Sequence, residues 1–267
     1  AGTKFVYDQH DLCPEVYEAR FGQRGLLHRM LVLLERATYA VADHVISTNP
    51  SYQEIALQRG RVPVDRTTIV MSAPDPRTMR RGEVEPELRH GKRHLVAYVG
   101  IMGPQDGVDV LIDAIDVYVN RLGRRDAYFA LLGFGDCLAQ LKDQVARLGL
   151  GDWVTFTGRV DQREISRWLS TASLGVTPDP PSEFNHRSTM NKTLEYMAHE
   201  LPVVATDLRE TRRCAQGAAL YVDGGTCLGI AQAMAEILDN DEGRQKMGAA
   251  GRARIETALD WRNQARN

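Results

Sequence analysis

Short apolar runs alternate along this chain with longer amphipathic stretches. Runs over Lys4–Tyr7, His44–Ser47, Thr68–Met71, Leu95–Val99, Tyr128–Leu132, Val154–Phe156, Leu174–Thr177, Val203–Ala205 and Ala219–Val222 have the length and content of buried parallel strands. Between them, apolar residues recur at helical spacing. Leu27, Met30, Leu31, Leu34 and Ala37 predict a helix over 27–42, and Leu111, Ile112, Ile115 and Val119 predict one over 108–122. Further helices are predicted over 51–58, capped by Asn49 or Ser51, and over 138–148, 163–169, 228–238 and 241–257. Strand–helix alternation of this kind predicts an α/β protein built on doubly wound parallel sheets.

The stretch from Ser188 to Asp207, STMNKTLEYMAHELPVVATD, joins a helix to one of these strands. Ser188 or Thr189 is expected to cap the helix, and Leu194, Met197 and Ala198 form its buried face. Pro202, which has no N–H, ends it before the strand Val203–Ala205. A helix N-terminus in this setting suits an anion such as phosphate. Lys192 adds positive charge there, and Glu195 offers a carboxylate to sugar or ribose hydroxyls.

The pattern divides the chain into unequal parts. Residues 1–75 hold about three strands, residues 76–93 are rich in Pro, Gly and charge and read as a solvated linker, and residues 94–260 carry six strands. The second part makes a complete Rossmann-like domain. The first is too short for one, which leaves roughly a hundred residues unaccounted for upstream. Residues 261–267 read as the start of an unfinished helix, so the chain is expected to be truncated at both ends.

Composition narrows the function classes. At 43% hydrophobic and 25% charged residues the chain is ordinary globular protein, and a net charge of −2 argues against bulk binding of nucleic acid. Cys13, Cys137, Cys214 and Cys227 are scattered without metal-ligand spacing and read as reduced thiols of a cytoplasmic protein. No run approaches the ~20 apolar residues of a membrane span. The turn Gly133-Phe134-Gly135 lacks the third glycine of a dinucleotide fingerprint, because position 138 is Leu. It reads as close backbone approach to a nucleotide, or as a tight turn.

Four stretches in order carry a resemblance: AYVGIMGPQDGVDVLIDAI, FALLGFGD, WVTFTGRV and LEYMAHELPVVATDLRE. Together they resemble the donor-binding domain of family 4 (group 1) retaining glycosyltransferases, and the similarity extends over nearly the whole chain. The resemblance implies a GT-B fold, with a complete C-terminal donor domain and the C-terminal part of a second Rossmann-like domain. It implies a nucleotide-sugar substrate (a UDP- or GDP-sugar), no cofactor and no bound metal. It places His10 beside the sugar as a catalytic candidate with Asp11 beside it, and Asp8 near the acceptor or as a plain strand-end cap. It assigns Gly103, Gly133, Gly135, Ser188, Thr189, Met190, Asn191 and Lys192 to the donor, Glu195 to its ribose, and Glu210 to the neighbourhood of the nucleotide.

Two departures stand out. Where the family commonly has an Arg and a Lys in the first glycine turn, this chain has Ile101 and Asp106. Each lost charged hydrogen bond costs about 1–3 kcal/mol. Where the family has the first Glu of E-x7-E, the chain has Arg187, which is expected to restore a cation to the donor's phosphate with help from His186. The expected activity is transfer of a hexose, with retention, to a saccharide or lipid-linked acceptor in polysaccharide biosynthesis. Such an enzyme is expected to be cytoplasmic, with peripheral membrane association compatible with it. A nucleotide-sugar epimerase or hydrolase, and a non-catalytic binding module, are the alternatives. The fragment alone need not be active.

Overall fold

The computed structural model describes residues 2–264. Its first sheet has three parallel strands in the order β1 (Val6–Gln9), β2 (His44–Ser47), β3 (Thr67–Ile69). Helices α1 (Cys13–Phe21) and α2 (Leu26–Val41) connect β1 to β2, and α3 (Pro50–Gln58) follows β2. Asn49 caps α3, accepting from the Tyr52 N–H at 2.8 Å. Arg59 ties the three helices together, reaching Glu15 at 2.7 Å and Glu35 at 2.8 Å. Burial pushes the Glu35 carboxyl up to about 7, although Arg59 draws it back.

The second sheet has six parallel strands: β4 (His94–Ile101), β5 (Ala127–Phe134), β6 (Val154–Gly158), β7 (Leu174–Thr177), β8 (Val203–Thr206) and β9 (Ala219–Val222). Their spatial order is β6-β5-β4-β7-β8-β9. The helices between and after them are α4 (Val108–Asp116), α5 (Leu138–Arg147), α6 (Gln162–Thr171), α7 (Glu183–Arg187), α8 (Asn191–Ala198), α9 (Arg209–Ala215), α10 (Cys227–Asp239), α11 (Asp241–Thr257) and α12 (Trp261–Gln264). Side chains of β4 alternate between two separate cores, as a strand covered on both faces requires. Val96 and Tyr98 pack with Leu111, Ile115 and Met234 on one side. Leu95 and Ala97 pack with Leu194, Met197 and Ile255 on the other.

Several elements differ from the sequence pattern. Helix α4 stops at Asp116 and continues to Arg121 as a π turn, not as one helix to Leu122. Helices α1, α7 and α9 are additional: α1 buries only Pro14 and so carries no apolar stripe, while α7 and α9, at five and seven residues, span too little chain for a clear periodicity. Ser188 and Thr189 do not cap α8, whose N-cap is Met190 with no side-chain bond. Ser182 caps α7 instead, and that helix ends on Ser188. The close of α8 is a Schellman motif: Leu201 N–H bonds to the Tyr196 carbonyl and Glu200 N–H to that of Met197. Glu200 takes the left-handed position, φ +58°, before Pro202.

Residues 76–93 are mostly exposed, as expected of a solvated linker, but they are pinned to the domain. Gly82 N–H donates to Ser170 Oγ at 2.8 Å, Glu85 N–H to Thr171 Oγ1 at 2.9 Å, and Arg167 pairs with Glu85. The segment is a strap along α6. The chain then returns toward its first part, where Gln264 Oε1 accepts from Met71 N–H at 3.3 Å. Residues 265–267, the rest of the expected terminal helix, lie outside the described residues.

Candidate functional site: a cleft between two sheets

In the six-stranded sheet the chain runs outward from β4 on one side to β5 and β6, and on the other to β7, β8 and β9. The crevice beyond the carboxyl ends of β4 and β7 is the switch point at which open α/β sheets take ligands. The carboxyl ends of the three-stranded sheet face the same space. The cleft of about 280 Å³ between them is lined by His10 after β1, Thr48 after β2, Ser72 after β3, Ile101 at the end of β4 with Asp106 after it, and Asp179 after β7. Tyr52, Gln105, Phe184, Asn185 and Ser188 to Asn191 complete the wall together with Asp11.

Helix α8 presents its uncapped N-terminus here, with Met190 and Asn191 in the wall. Its first-turn N–H groups are the natural anion site of the cleft. Lys192 lies just beneath the surface, its side chain 9% exposed, with the ammonium 2.7 Å from Asp179 Oδ1 and 3.9 Å from Asp106 Oδ1. The ring of Tyr98 lies 5.3 Å from the same ammonium. Gly100 makes room for the lysine stem, since a Cβ there would stand 3.2 Å from Lys192 Cε. Asp106 also accepts from Gly103 N–H at 2.9 Å, which closes its own loop. Burial raises the Asp106 carboxyl above its ordinary range, against the pull of Lys192.

One turn along α8, the Glu195 carboxylate is mostly buried, and its Oε2 has no hydrogen-bond partner. Burial pushes it up to about 6, with Lys192 opposing. A buried, unmet acceptor is costly unless a ligand hydroxyl satisfies it.

A second cavity of about 320 Å³ opens beyond the ends of β4 and β5, lined by Gly100, Ile101, Gly133, Phe134, Arg159, Val160 and Ile165 among others. Ile101 lines both cavities, so they adjoin. Gly133, at φ +153°, is fixed by close approach: a Cβ there would fall 1.8 Å from the Gly100 carbonyl oxygen. A Cβ on Gly135 would meet the Met102 carbonyl at 2.5 Å. Arg159 stacks over the exposed Phe134 ring at 4.9 Å, leaving a flat cationic and aromatic surface.

The structure thus brings His10, Asp11, Ser188, Thr189, Met190 and Asn191 into one wall, with Lys192 directly behind it. Gly103 shapes the Asp106 loop but lines a neighbouring cavity instead. Asp8 is not in the cleft wall, and among the described residues no hydrogen bond joins Asp11 to His10. Arg187 is not in the wall either. Its guanidinium pairs with Glu183 at 3.1 Å and Glu54 at 3.8 Å, so its charge is met by carboxylates outside the wall. His186 Nδ1 accepts from Arg209 N–H at 3.4 Å. Glu210 is wholly buried between the two parts of the molecule, accepting from Ser51 Oγ at 2.5 Å and facing Arg213 at 3.5 Å. Ser188 and Thr189 serve the same junction: Asn49 Nδ2 donates to the Arg187 carbonyl at 2.8 Å and to Thr189 Oγ1 at 3.1 Å, and Tyr52 lies 3.4 Å from Ser188 Oγ.

Sequence reasoning missed Asp179, Tyr52, Gln105, Asn185, Phe134 and Arg159. Asp179 had a usable signal, a carboxylate among prolines at the end of a buried strand. The chain's Asp-x-Asp triplet, Asp239-Asn240-Asp241, is not in the cleft wall. It joins α10 to α11, with Asp239 paired to Arg124 and Asp241 to Arg93 and Arg244. Among the described residues no three His, Cys, Asp or Glu side chains cluster as a metal site.

Two parallel α/β sheets whose carboxyl ends face one cleft define a GT-B protein, and solved structures agree. The chain superposes on Anabaena Alr3699/HepE in complex with UDP and glucose with a TM-score of 0.80 at 16% identity, covering 98% of this chain and 70% of that one. On WaaG, a glycosyltransferase involved in lipopolysaccharide biosynthesis, the TM-score is 0.78 at 16% identity, covering 98% and 73%. The chain belongs to the glycosyl transferases group 1, whose family model matches residues 93–240. It is 28% identical over 192 residues to a GDP-mannose-dependent alpha-(1-6)-phosphatidylinositol monomannoside mannosyltransferase of Mycobacterium tuberculosis, covering 70% of this chain and 49% of that protein. It is also 28% identical over 176 residues to the alpha-D-kanosaminyltransferase of Streptomyces kanamyceticus, covering 63% and 42%. The chain spans about half the length, or less, of these curated relatives.

Proposed function

We propose that this chain is the donor-binding part of a retaining glycosyltransferase, which moves a sugar from a UDP- or GDP-sugar to a hydroxyl of a saccharide or lipid-linked acceptor. The nucleoside would occupy the cavity of Gly133, Phe134 and Arg159, with Glu195 accepting from the ribose hydroxyls. The diphosphate would lie at the N-terminus of α8, and the sugar would extend toward His10 and Asp11. In the reaction the bond from the anomeric carbon to the diphosphate oxygen breaks, and a bond to the acceptor oxygen forms on the same face. The acceptor's proton passes to the departing phosphate oxygen. The protein's contribution is electrostatic, from the α8 amides and Lys192 at the oxygen where charge develops. No resident cofactor or metal is needed in this scheme.

The observation that carries this reading is the sequence of features along α8. An uncapped N-terminus in the cleft wall, a lysine and an unpartnered buried carboxylate follow one another, and a second cavity adjoins that cleft at Ile101, although Glu195 itself lines neither cavity. The relatives point the same way: one is a GDP-mannose-dependent transferase, and one structural neighbour is solved with UDP. The lipid-linked acceptor of the mannosyltransferase supports peripheral membrane association; among the described residues no helix is long and apolar enough to cross a membrane.

A second reading, a module that binds nucleotide-sugar without transfer, is favoured by one observation. The cleft wall holds Asp11, Asp106 and Asp179 but neither Lys nor Arg. Incubation with labelled UDP- and GDP-sugars separates the two. Transfer to an added saccharide, with the anomeric configuration retained by NMR, supports the transferase. A bound but unconsumed donor supports the module, and a free epimerised or hydrolysed sugar supports neither.

A further inference from the structure

We propose that Asp106 and Asp179 have opposite roles at the same lysine: Asp179 holds the Lys192 ammonium in place, while Asp106 is a competitor that the donor's diphosphate must displace. This inference rests on the donor-site reading given above. It makes Asp106 a residue that sets how strongly the site prefers two phosphates over one.

The two contacts are unequal. Asp179 lies 2.7 Å from the ammonium and its side chain is only 2% exposed, so it is a fixed partner on the β7 side of the switch point. Asp106 lies 3.9 Å away and is 14% exposed, on the β4 side. Its own carboxylate is already engaged by the Gly103 N–H at 2.9 Å. That loop turns on Gly107 at φ +66°, where a Cβ would meet the Pro178 carbonyl oxygen at 2.3 Å, so the two loops are pressed together.

The charges do not balance. Asp106 and Asp179 against Lys192 leave one net negative charge below the cleft, before any diphosphate arrives. An ammonium has three donors, and Asp179 needs one. An incoming phosphate can therefore take the side of the ammonium that Asp106 only grazes, leaving the Asp179 contact intact. Like charge between that phosphate and Asp106 remains and opposes binding. Burial, which disfavours a charged Asp106, works against that repulsion and eases the displacement.

The test compares nucleoside diphosphate with monophosphate. The probes are UDP, UMP, GDP and GMP, titrated by calorimetry into the wild-type chain and into Asp106→Asn, Asp179→Asn and Lys192→Met, with thermal denaturation of each variant. Asp106→Asn is expected to raise the diphosphate-over-monophosphate ratio about three- to tenfold. Asp179→Asn and Lys192→Met are expected to lower it by about tenfold, with monophosphate affinity changed much less. Opposite signs for the two aspartates are what a merely structural role would not give. If Asp179→Asn does not fold, the rise with Asp106→Asn decides the matter by itself. Equal ratios in Asp106→Asn and wild type, or a fall, overturn the inference while leaving the donor site standing. Failure of the wild-type chain to bind any of the four nucleotides overturns both.

Discussion

The six-stranded and three-stranded parts of this molecule bury themselves very differently. In the first, β4 is covered on both faces, and Leu111 of α4 is fully enclosed. In the second, β1 is an edge strand beside exposed Phe5 and Val6, and α2 leaves Leu26, Leu27, Met30, Leu33 and Leu34 at the surface. Identical chemistry therefore carries different energy in the two parts. The donor side is self-sufficient, with its loops positioned by a closed core. The side carrying His10 is held to it mainly by polar contacts, from Asn49, Ser51, Tyr52, Arg20 and Glu54, with Met71 packed against the donor-side core.

The contrast can be broken at its most constrained point. Gly133→Ala would drive a methyl into the Gly100 carbonyl and hold Ala at φ +153°. It is expected to destabilise the fold by more than about 3 kcal/mol in urea unfolding, and to close the nucleoside cavity. Next comes a matched pair of leucines. Leu111→Ala should cost about 3 kcal/mol, whereas Leu33→Ala, at a side chain 62% exposed, should stay within about 0.5 kcal/mol. Equal losses would mean that α2 is as well packed as α4.

Glu195→Gln sharpens the distinction between stability and function. Its carboxyl is raised by burial from 4.5 to about 6, so ionisation is disfavoured in the fold. The wild-type contribution is full below pH 4.5 and is lost as pH rises through 6. At pH 7.5 the Gln variant should be about 1–2 kcal/mol more stable than wild type, and the advantage should vanish near pH 4. Nucleotide binding should weaken at the same time. A modest gain is expected at Glu200, held left-handed at φ +58°: Glu200→Gly should stabilise by about 1 kcal/mol in the same unfolding assay.

How legible the chain was depends on the range of the interaction. Buried parallel strands announced themselves as apolar runs, and β2, β7 and β9 have the bounds their sequences predict. The α8–β8 unit was legible because Leu194, Met197 and Pro202 act within one or two turns. The cap was not, because α7 intervenes: Ser182 starts a five-residue helix that ends on Ser188 and moves the true cap to Met190. Lys192 was recognisable as a cation, but its partners lie 13 and 86 positions earlier, in loops that only the sheet's switch point brings together. The partners of Arg187 and Glu210 were hidden by the same long range. Those partners, Glu54 and Ser51, belong to the other sheet's α3.

The most direct test of the account is calorimetric titration of UDP, GDP and ADP into the chain and into Glu195→Ala. The account predicts preferential binding of UDP or GDP, weakened at least about tenfold when Glu195 can no longer accept from the ribose hydroxyls. Unchanged affinity in Glu195→Ala, or no binding of any of the three, would contradict the claim that α8 and its two adjoining cavities form a nucleotide-sugar site.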